Sequence, residues 1–281
     1  IQGQQVEDIA NLTFDGIDQS SSTIVDLGGV TIKTTGVGDR YSKNIQSNWG
    51  YYLSTAGGHA VEIDGGVLHV SNGTYTAQQG DGIRIQGGIA FIENGYFVGQ
   101  DNGAYLPGAG ASYAFKVYGG YAKVEGGTFG QASENASYQG NGAFVMQGDA
   151  YITKATIRAG GTTGFGVWTN ANVTFAPANN DNRAINVYGA STGLTLENGG
   201  SYPSLQVTIN GGTFEAGDQG TPYGIWYGNG NATLTITGGT FTGDDAGLRI
   251  AANPGQIRYD RQYNAWPPEF RYTWHDERNI H

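Results

Sequence analysis

The sequence lacks cysteine, contains a single methionine and is poor in charged residues. The absence of cysteine from 281 residues excludes a disulfide framework and is common in extracellular bacterial and archaeal proteins. No run of 18 apolar residues occurs, so no helix is expected to span a bilayer. With 24 acidic and 14 basic side chains the net charge is −10, which disfavours nucleic acid and anionic membrane surfaces as partners.

Several features favour a secreted protein that is extracellular or attached to a cell surface. The first residue is Ile1 rather than methionine, so we expect that a signal peptide has been removed. Five Asn-x-Ser/Thr sequons are candidate N-glycosylation sites. Their asparagines are Asn11, Asn72, Asn135, Asn172 and Asn231.

What the chain does contain is glycine, aromatic residues and β-branched residues. The 49 glycines and the evenly spread valine, isoleucine, phenylalanine and tyrosine predict many short strands joined by tight turns.

A repeat of strand-like segments is the main organising pattern. Each of eight segments opens with alanine or glycine and continues with an apolar residue. The apolar residues are Val61, Ile83, Phe115, Phe144, Val167, Ile185, Ile225 and Leu248. Alternation along a strand points the residues that follow them outward. These outward residues are Glu62, Arg84, Lys116, Val145, Trp168, Asn186, Trp226 and Arg249.

A second register follows most of the segments. A strand ends in an apolar residue, a turn comes next, often Gly-Gly or Asn-Gly, and a bulky apolar residue lies five positions later. The pairs are Val70 with Tyr75, Ile92 with Phe97, Val124 with Phe129, Ile152 with Ile157, Ile209 with Phe214, and Ile236 with Phe241.

Fixed strand registers separated by connections of variable length predict a right-handed parallel β-helix. Its strands must stack on one another, whereas the connections between them can vary in length. We expect an all-β solenoid of about nine or ten coils over residues 1–252, with an N-terminal cap that includes a short helix over Val6–Leu12. A non-repetitive tail, 253–281, follows it.

The Gly-Gly-Thr-Phe turns at Gly126–Phe129, Gly211–Phe214 and Gly238–Phe241 resemble repeats of bacterial surface proteins and adhesin passengers. The architecture resembles the pectin-lyase-like β-helix superfamily. That resemblance implies the fold more specifically than the activity, because the superfamily includes lyases, hydrolases, phage tailspikes and adhesins without enzymatic activity.

The tail is rich in aromatic residues and arginine, which are favoured at protein interfaces. One interpretation is that it covers the open end of its own coil; the other is that it docks on a neighbouring copy and builds a filament. Deleting 253–281 distinguishes them, because a soluble folded monomer would support docking. The predicted docking residues are Tyr259, Tyr263, Trp266, Phe270, Tyr272, Trp274, Arg258, Arg261 and Arg271.

The outward face carries an unusual number of aromatic residues, which marks a binding surface. Carbohydrate stacking, a subunit contact and cover by inserted loops are the three explanations. The predicted carbohydrate or subunit contacts are Trp168, Trp226, Tyr118, Tyr188 and Tyr223.

No catalytic constellation of the β-helix lyases or hydrolases occurs, so the sequence leans against an enzyme. Glu62, Arg84 and Lys116 are interpreted as a surface charge ladder. His69 is expected to be exposed, and Asp64, Asp81, Asp101, Asp149 and Asp218 are interpreted as ordinary turn residues. No cofactor and no metal site are predicted.

These observations predict an extracellular structural or adhesive surface protein. It would assemble with itself through the tail and the aromatic face. The alternative is a β-helix of tailspike or lyase type that binds or cleaves a glycan.

Overall fold

The computed structural model describes residues 9–18, 20, 22–34, 59–77, 80–99, 113–130, 142–160, 164–196, 205–218, 222–228 and 232–250, with the backbone of 256–259. These residues form a parallel β-helix with three sheets, as the repeat predicts. Each coil contributes one strand to sheet 3, then one to sheet 1 and then one to sheet 2. Every strand pairing in the described residues is parallel.

Sheet 1 has nine strands. They are β1 (Ile24–Leu27), β4 (Val67–Val70), β7 (Ile89–Ile92), β10 (Tyr121–Val124), β13 (Asp149–Ile152), β16 (Val173–Phe175), β19 (Leu205–Ile209), β22 (Ala232–Ile236) and β25 (Gln256–Tyr259).

Sheet 2 has eight strands. They are β2 (Val30–Thr34), β5 (Gly73–Ala77), β8 (Tyr96–Gly99), β11 (Thr128–Gly130), β14 (Ala155–Ala159), β17 (Ile185–Gly189), β20 (Thr213–Ala216) and β23 (Thr240–Thr242).

Sheet 3 also has eight strands. They are β3 (Val61–Ile63), β6 (Ile83–Ile85), β9 (Phe115–Val117), β12 (Gly142–Met146), β15 (Phe165–Thr169), β18 (Thr192–Leu196), β21 (Tyr223–Tyr227) and β24 (Ala246–Ile250).

Four short 3₁₀ helices complete the secondary structure of the described residues. They are Ile9–Asn11, Phe14–Gly16, Ala178–Asn180 and Asn182–Ala184. None of the described helices is long and apolar enough to cross a membrane.

The two predicted inward columns form the core. Phe97 stacks on Tyr75 and on Phe129, with ring centroids 5.1 and 4.7 Å apart. Phe144 joins this stack from sheet 3, because its ring meets Phe129 edge-on at 4.7 Å. Full burial of each such side chain stabilises the fold by about 1.5–3 kcal/mol before the loss of conformational entropy is subtracted.

One of the eight predicted segments was placed in the wrong sheet. Ile185 lies in sheet 2, where it pairs with Ala155, and Leu194 occupies the predicted place between Val167 and Ile225 in sheet 3. The cause is an insertion over 176–184, which contains two 3₁₀ helices and separates β16 from β17. Gly193-Leu194 satisfies the same Ala/Gly-apolar rule and was the segment to choose.

The small first residue of each sheet 3 segment has a steric cause. At Gly82 an added Cβ would lie 2.6 Å from the carbonyl oxygen of Ala114 and 3.0 Å from the backbone nitrogen of Val98. A Cβ added at Gly193 would likewise lie 2.6 Å from the carbonyl oxygen of Gly224 in the next coil. The chain therefore passes from sheet 2 into sheet 3 with backbone against backbone, and only a small residue fits there.

The first and last described segments differ in detail from the sequence prediction. The described N-terminal segment, with its 3₁₀ helix at Ile9–Asn11 in place of the predicted helix, lies on the outer face of sheet 1 and not across the end of the coil. Lys123 Nζ holds it by donating to the carbonyl oxygens of Ala10 (3.2 Å) and Leu12 (2.7 Å). At the other end, Gln256–Tyr259 pairs with β22, so the repeat continues beyond residue 252.

The buried column predicts a large cost for a charge inside the coil. We expect Phe144→Asp to prevent stable folding, because the aspartate would have no described partner among the apolar side chains that surround Phe144. Phe144→Ala should lower the free energy of unfolding by about 3–5 kcal/mol. Denaturant titrations followed by circular dichroism measure both effects. The exposed control Glu215→Ala should stay within about 0.5 kcal/mol of the wild type, and an equally small effect of Phe144→Ala would contradict the core assignment.

Candidate binding face on the third sheet

The outward residues of sheet 3 form one continuous row, called here the outer row. Its members share a register position in eight successive strands. They are Glu62, Arg84, Lys116, Val145, Trp168, Thr195, Trp226 and Arg249. The sequence predicted this row except at one position, where Thr195 replaces Asn186.

Two tryptophans dominate the C-terminal half of the outer row. Trp168 and Trp226 are the register neighbours of Thr195 on either side, so they lie two rungs apart, about 10 Å from rung spacing alone. Thr195 is only 4% exposed, while both tryptophans remain half-buried. A Cβ added at Gly228 would lie 3.2 Å from the indole of Trp226, so this ring packs against a glycine.

Tyr223 is not a surface contact, contrary to the sequence interpretation. It is 6% exposed and lies at the corner where the chain enters β21. Its hydroxyl accepts a hydrogen bond from Arg249 Nη1 at 2.8 Å, and the guanidinium carbon lies 5.2 Å from its ring centroid. Tyr223 therefore positions Arg249, which is the exposed member of the pair.

The two remaining predicted contacts belong to different sheets. Tyr118 follows β9 and is 43% exposed beside the outer row. Tyr188 lies in β17 of sheet 2, where Arg158 approaches its ring to 5.8 Å. Of the five predicted contacts, only Trp168, Trp226 and Tyr118 thus share one accessible face.

A cluster of polar and aromatic side chains occupies the N-terminal half of the same face. Three of its members lie two residues before the inward residue of β3, β6 and β9, so stacking of the coils brings them together. We call the whole set the cation cluster. It consists of His59, Asp81, Arg84, Tyr113, Lys116 and Tyr118.

Contacts within the cation cluster form a closed circuit. His59 Nδ1 lies 3.3 Å from Asp81 Oδ2, and Asp81 Oδ1 accepts a hydrogen bond from the backbone N–H of Tyr113 at 2.8 Å. Lys116 Nζ lies 4.8 Å from the ring centroid of Tyr113 and 4.4 Å from that of Tyr118. Arg84 closes the circuit, with its guanidinium carbon 5.0 Å from the Tyr118 ring centroid and Nη1 2.8 Å from His59 Nε2.

Burial sets the protonation of this cluster. It lowers the pKa of His59, with the Arg84 charge acting in the same direction and Asp81 opposing it. Arg84 can only donate, so His59 Nε2 accepts its hydrogen bond, and the single proton of the neutral imidazole lies on Nδ1, 3.3 Å from the Asp81 carboxylate. A second ring proton, on Nε2, would face the guanidinium without an acceptor. Burial also raises the pKa of Asp81, against the hydrogen bond from Tyr113, and raises the pKa of Tyr113 to about 12.

Asp81 was wrongly interpreted as an ordinary turn residue, since it is 2% exposed and bonded to the next coil. No local pattern marks His59, Asp81 and Tyr113, because neighbouring members lie 22 and 32 residues apart. An alignment of the segments that begins two residues before each inward residue would have placed His59, Asp81 and Tyr113 in one column.

Comparison with known proteins adds no relative. No protein-family model, curated protein or solved structure matches the chain. The proposals below therefore depend on the geometry of the described residues.

His69 on sheet 1 was also wrongly predicted, because it is 8% exposed and not on the open surface. Its Nδ1 lies 2.8 Å from Asp26 Oδ1, and Nε2 lies 3.1 Å from Glu93 Oε1. Phe14 of the N-terminal segment stacks on the imidazole at 4.0 Å and covers it.

Only some of the remaining predicted site residues are among the described residues. Among the sequons, Asn11 and Asn72 are exposed, and Asn172 Oδ1 accepts a hydrogen bond from the backbone N–H of Gln206 at 2.9 Å. Arg258 and Tyr259 lie in β25. The other predicted tail and sequon residues lie outside the described residues. They are Tyr263, Trp266, Phe270, Tyr272, Trp274, Arg261, Arg271, Asn135 and Asn231.

Among the described residues, no group of three or more histidine, aspartate or glutamate side chains is arranged to hold a metal ion.

The lowered pKa of His59 predicts a pH dependence of stability. The unfolded imidazole titrates near 6.5 and the folded one below it, so just under pH 6.5 the unfolded chain binds more protons. The His59 contribution is therefore present above pH 6.5 and is lost as the pH falls toward the folded value. Urea titrations between pH 7.5 and 5 should show a steeper acid loss for the wild type than for His59→Gln. Parallel pH curves for the two proteins would refute this assignment.

Proposed function

We propose that this chain is an extracellular adhesive β-helix that binds an extended glycan along the outer row of sheet 3. The observation that carries the proposal is the pair Trp168 and Trp226. They share one register position, lie two rungs apart and flank the buried Thr195. Two half-buried indoles on one flat sheet face are suited to pack against the apolar faces of sugar rings.

The regular spacing of the coils favours a linear ligand. Rungs repeat about every 4.8 Å, so equivalent side chains recur along a straight line of about 34 Å over seven steps. The rise per sugar of an extended polysaccharide is close to this rung spacing. A linear glycan can therefore contact several members of the row at once, which raises its apparent affinity.

The polar groups on this face favour binding over cleavage. His59 Nε2 is occupied by Arg84 at 2.8 Å, and Asp81 is 2% exposed, so neither is available as a general base to a bound sugar. Glu62 on this face is exposed, and its Oε1 accepts a hydrogen bond from Gln86 Nε2 at 3.0 Å. We therefore propose an adhesive role without catalysis.

Alanine substitution of the two tryptophans tests the proposal. Trp168→Ala and Trp226→Ala should each weaken glycan binding about tenfold, since each loses the apolar area of one ring together with a stacking contact of about 0.5–1.5 kcal/mol. Affinity electrophoresis in gels that contain soluble polysaccharides measures the effect. Tyr96→Ala on sheet 2 is the matched control, because Tyr96 is 37% exposed on another face. Unchanged retardation of both tryptophan variants, with the fold intact, would overturn the glycan proposal.

Self-assembly is a second candidate, favoured by partly buried apolar side chains in the last described coil. Leu248 in β24 and Phe241 in β23 are only partly buried, whereas Ile225 and Phe214 in the preceding coil are 0% exposed. An incompletely covered end of a solenoid favours end-to-end association. We propose that copies of the chain stack at this end into filaments.

Truncation after β25 tests the stacking. Deleting 260–281 keeps the ninth strand of sheet 1, whereas deleting 253–281 would remove it and confuse docking with unfolding. Negative-stain micrographs of the intact chain should show filaments. The 260–281 truncation should stay folded by circular dichroism and still form filaments, because it keeps the end of the coil; a monomer in sedimentation would instead assign the contact to the tail. Isolated short rods from the intact chain at high concentration would contradict self-assembly.

A further inference from the structure

The cation cluster lies at the N-terminal end of the outer row, in line with the two tryptophans. Val145 is the register partner of both Lys116 and Trp168. Thr195 is the register partner of both Trp168 and Trp226. Lys116, Trp168 and Trp226 therefore recur at equal intervals of about 10 Å along one line. A linear polymer stacked on the tryptophans would pass over the cluster.

Two cations occupy neighbouring rungs there, although the chain as a whole is acidic. Arg84 and Lys116 are direct register partners, and like charges at such positions repel each other. Only 14 of 281 residues are basic, with a net charge of −10, so this pairing is not a consequence of composition. A bound anion between them would remove the repulsion.

Neighbouring carboxylates only partly neutralise this charge. No carboxylate of the described residues lies within 4.0 Å of Lys116 Nζ. This amino group lies instead over the rings of Tyr113 and Tyr118. Arg84 Nε lies 3.6 Å from Glu62 Oε1, too far for a hydrogen bond. The Asp81 carboxylate is buried and accepts a hydrogen bond from the backbone N–H of Tyr113.

The cluster holds its cations in place before any ligand arrives. Tyr118 is 43% exposed and has both cations near its ring, at 5.0 Å for Arg84 and 4.4 Å for Lys116. His59 fixes Nη1 of the guanidinium at 2.8 Å. Side chains that are already ordered lose little entropy on binding, and arginine with lysine is suited to bind the oxygens of a carboxylate or a sulfate ester.

We infer that Arg84, Lys116 and Tyr118 form a subsite for an anionic substituent, a carboxylate or a sulfate ester, carried by the glycan that stacks on Trp168 and Trp226. This inference rests on the proposed glycan binding and specifies its chemical class as an acidic polysaccharide. Glu62 is the competing internal anion of the subsite, because it shares Arg84 with the ligand.

Matched pairs of polymers test the subsite. Polygalacturonate and its methyl ester differ in the carboxylate charge, while dextran sulfate and dextran differ in the sulfate. The wild type should bind one anionic member at least tenfold more tightly than its neutral partner, and the pair that shows this preference identifies the substituent. The preference should fall as salt is raised.

Variants separate the subsite from the stacking platform. Lys116→Gln should reduce the anionic-to-neutral affinity ratio at least fivefold. Glu62→Gln should raise the same ratio, since it removes the competing carboxylate. Trp168→Ala should weaken both members of a pair equally. Lys33→Gln is the charge control, because Lys33 is exposed in β2 of sheet 2, on another face.

The possible failures are distinguishable. Equal binding of charged and neutral polymers, with loss in Trp168→Ala, would overturn the anionic subsite and leave the glycan proposal intact. Equal binding of poly-glutamate and polygalacturonate would overturn the assignment to a sugar polymer. Binding of neither member of either pair would overturn both proposals together.

Discussion

The structure depends on the in-register stacking of short parallel strands, one coil on the next. The hydrogen-bond ladder fixes the rise per coil, and the inward columns supply the apolar burial that stabilises it. Neither works alone, because a slip of one residue along a strand would turn Phe115 or Phe144 outward and bring Lys116 into the core. Every property of the outer row follows from this constraint, since the ladder that stacks the phenylalanines also aligns the residues between them.

The close passage of the chain at the corner before sheet 3 is a second constraint with consequences for the surface. Backbone lies against backbone there, as at Gly82 and Gly193. Outward side chains are therefore carried by the residue just before the small residue and by the residue two positions after it. His59, Asp81 and Tyr113 stand before it, and Glu62, Arg84 and Lys116 follow the inward residue. Two rows of functional groups thus border a column that can hold none, which explains why the cation cluster is compact.

The sequence was sufficient to predict the fold, the two inward columns and most of the outer row. Alternation with a period of two is local, so Val61 and Glu62 reveal their faces without knowledge of the other coils. It was insufficient wherever a contact depends on the length of a connection. The insertion over 176–184 moved Ile185 into another sheet. His69 is buried because Asp26 and Phe14 reach it from distant parts of the chain, and no local pattern carries that information.

The charge distribution gives the two halves of the outer row complementary roles in the proposed binding of one ligand. In a protein with 24 acidic and 14 basic residues, the general field repels polyanions and leaves them only sites where cations are locally concentrated. The aromatic rings that hold Arg84 and Lys116 perform this concentration without consuming the charges in salt bridges, because a cation over a ring keeps its charge available to a further anion. A ligand with only sugar rings would use the tryptophans alone, and one with only negative charge would be repelled outside the cluster. If the proposed glycan binding holds, the combination selects for a polymer that presents both an apolar ring face and an anionic group at the spacing that the stacked coils impose.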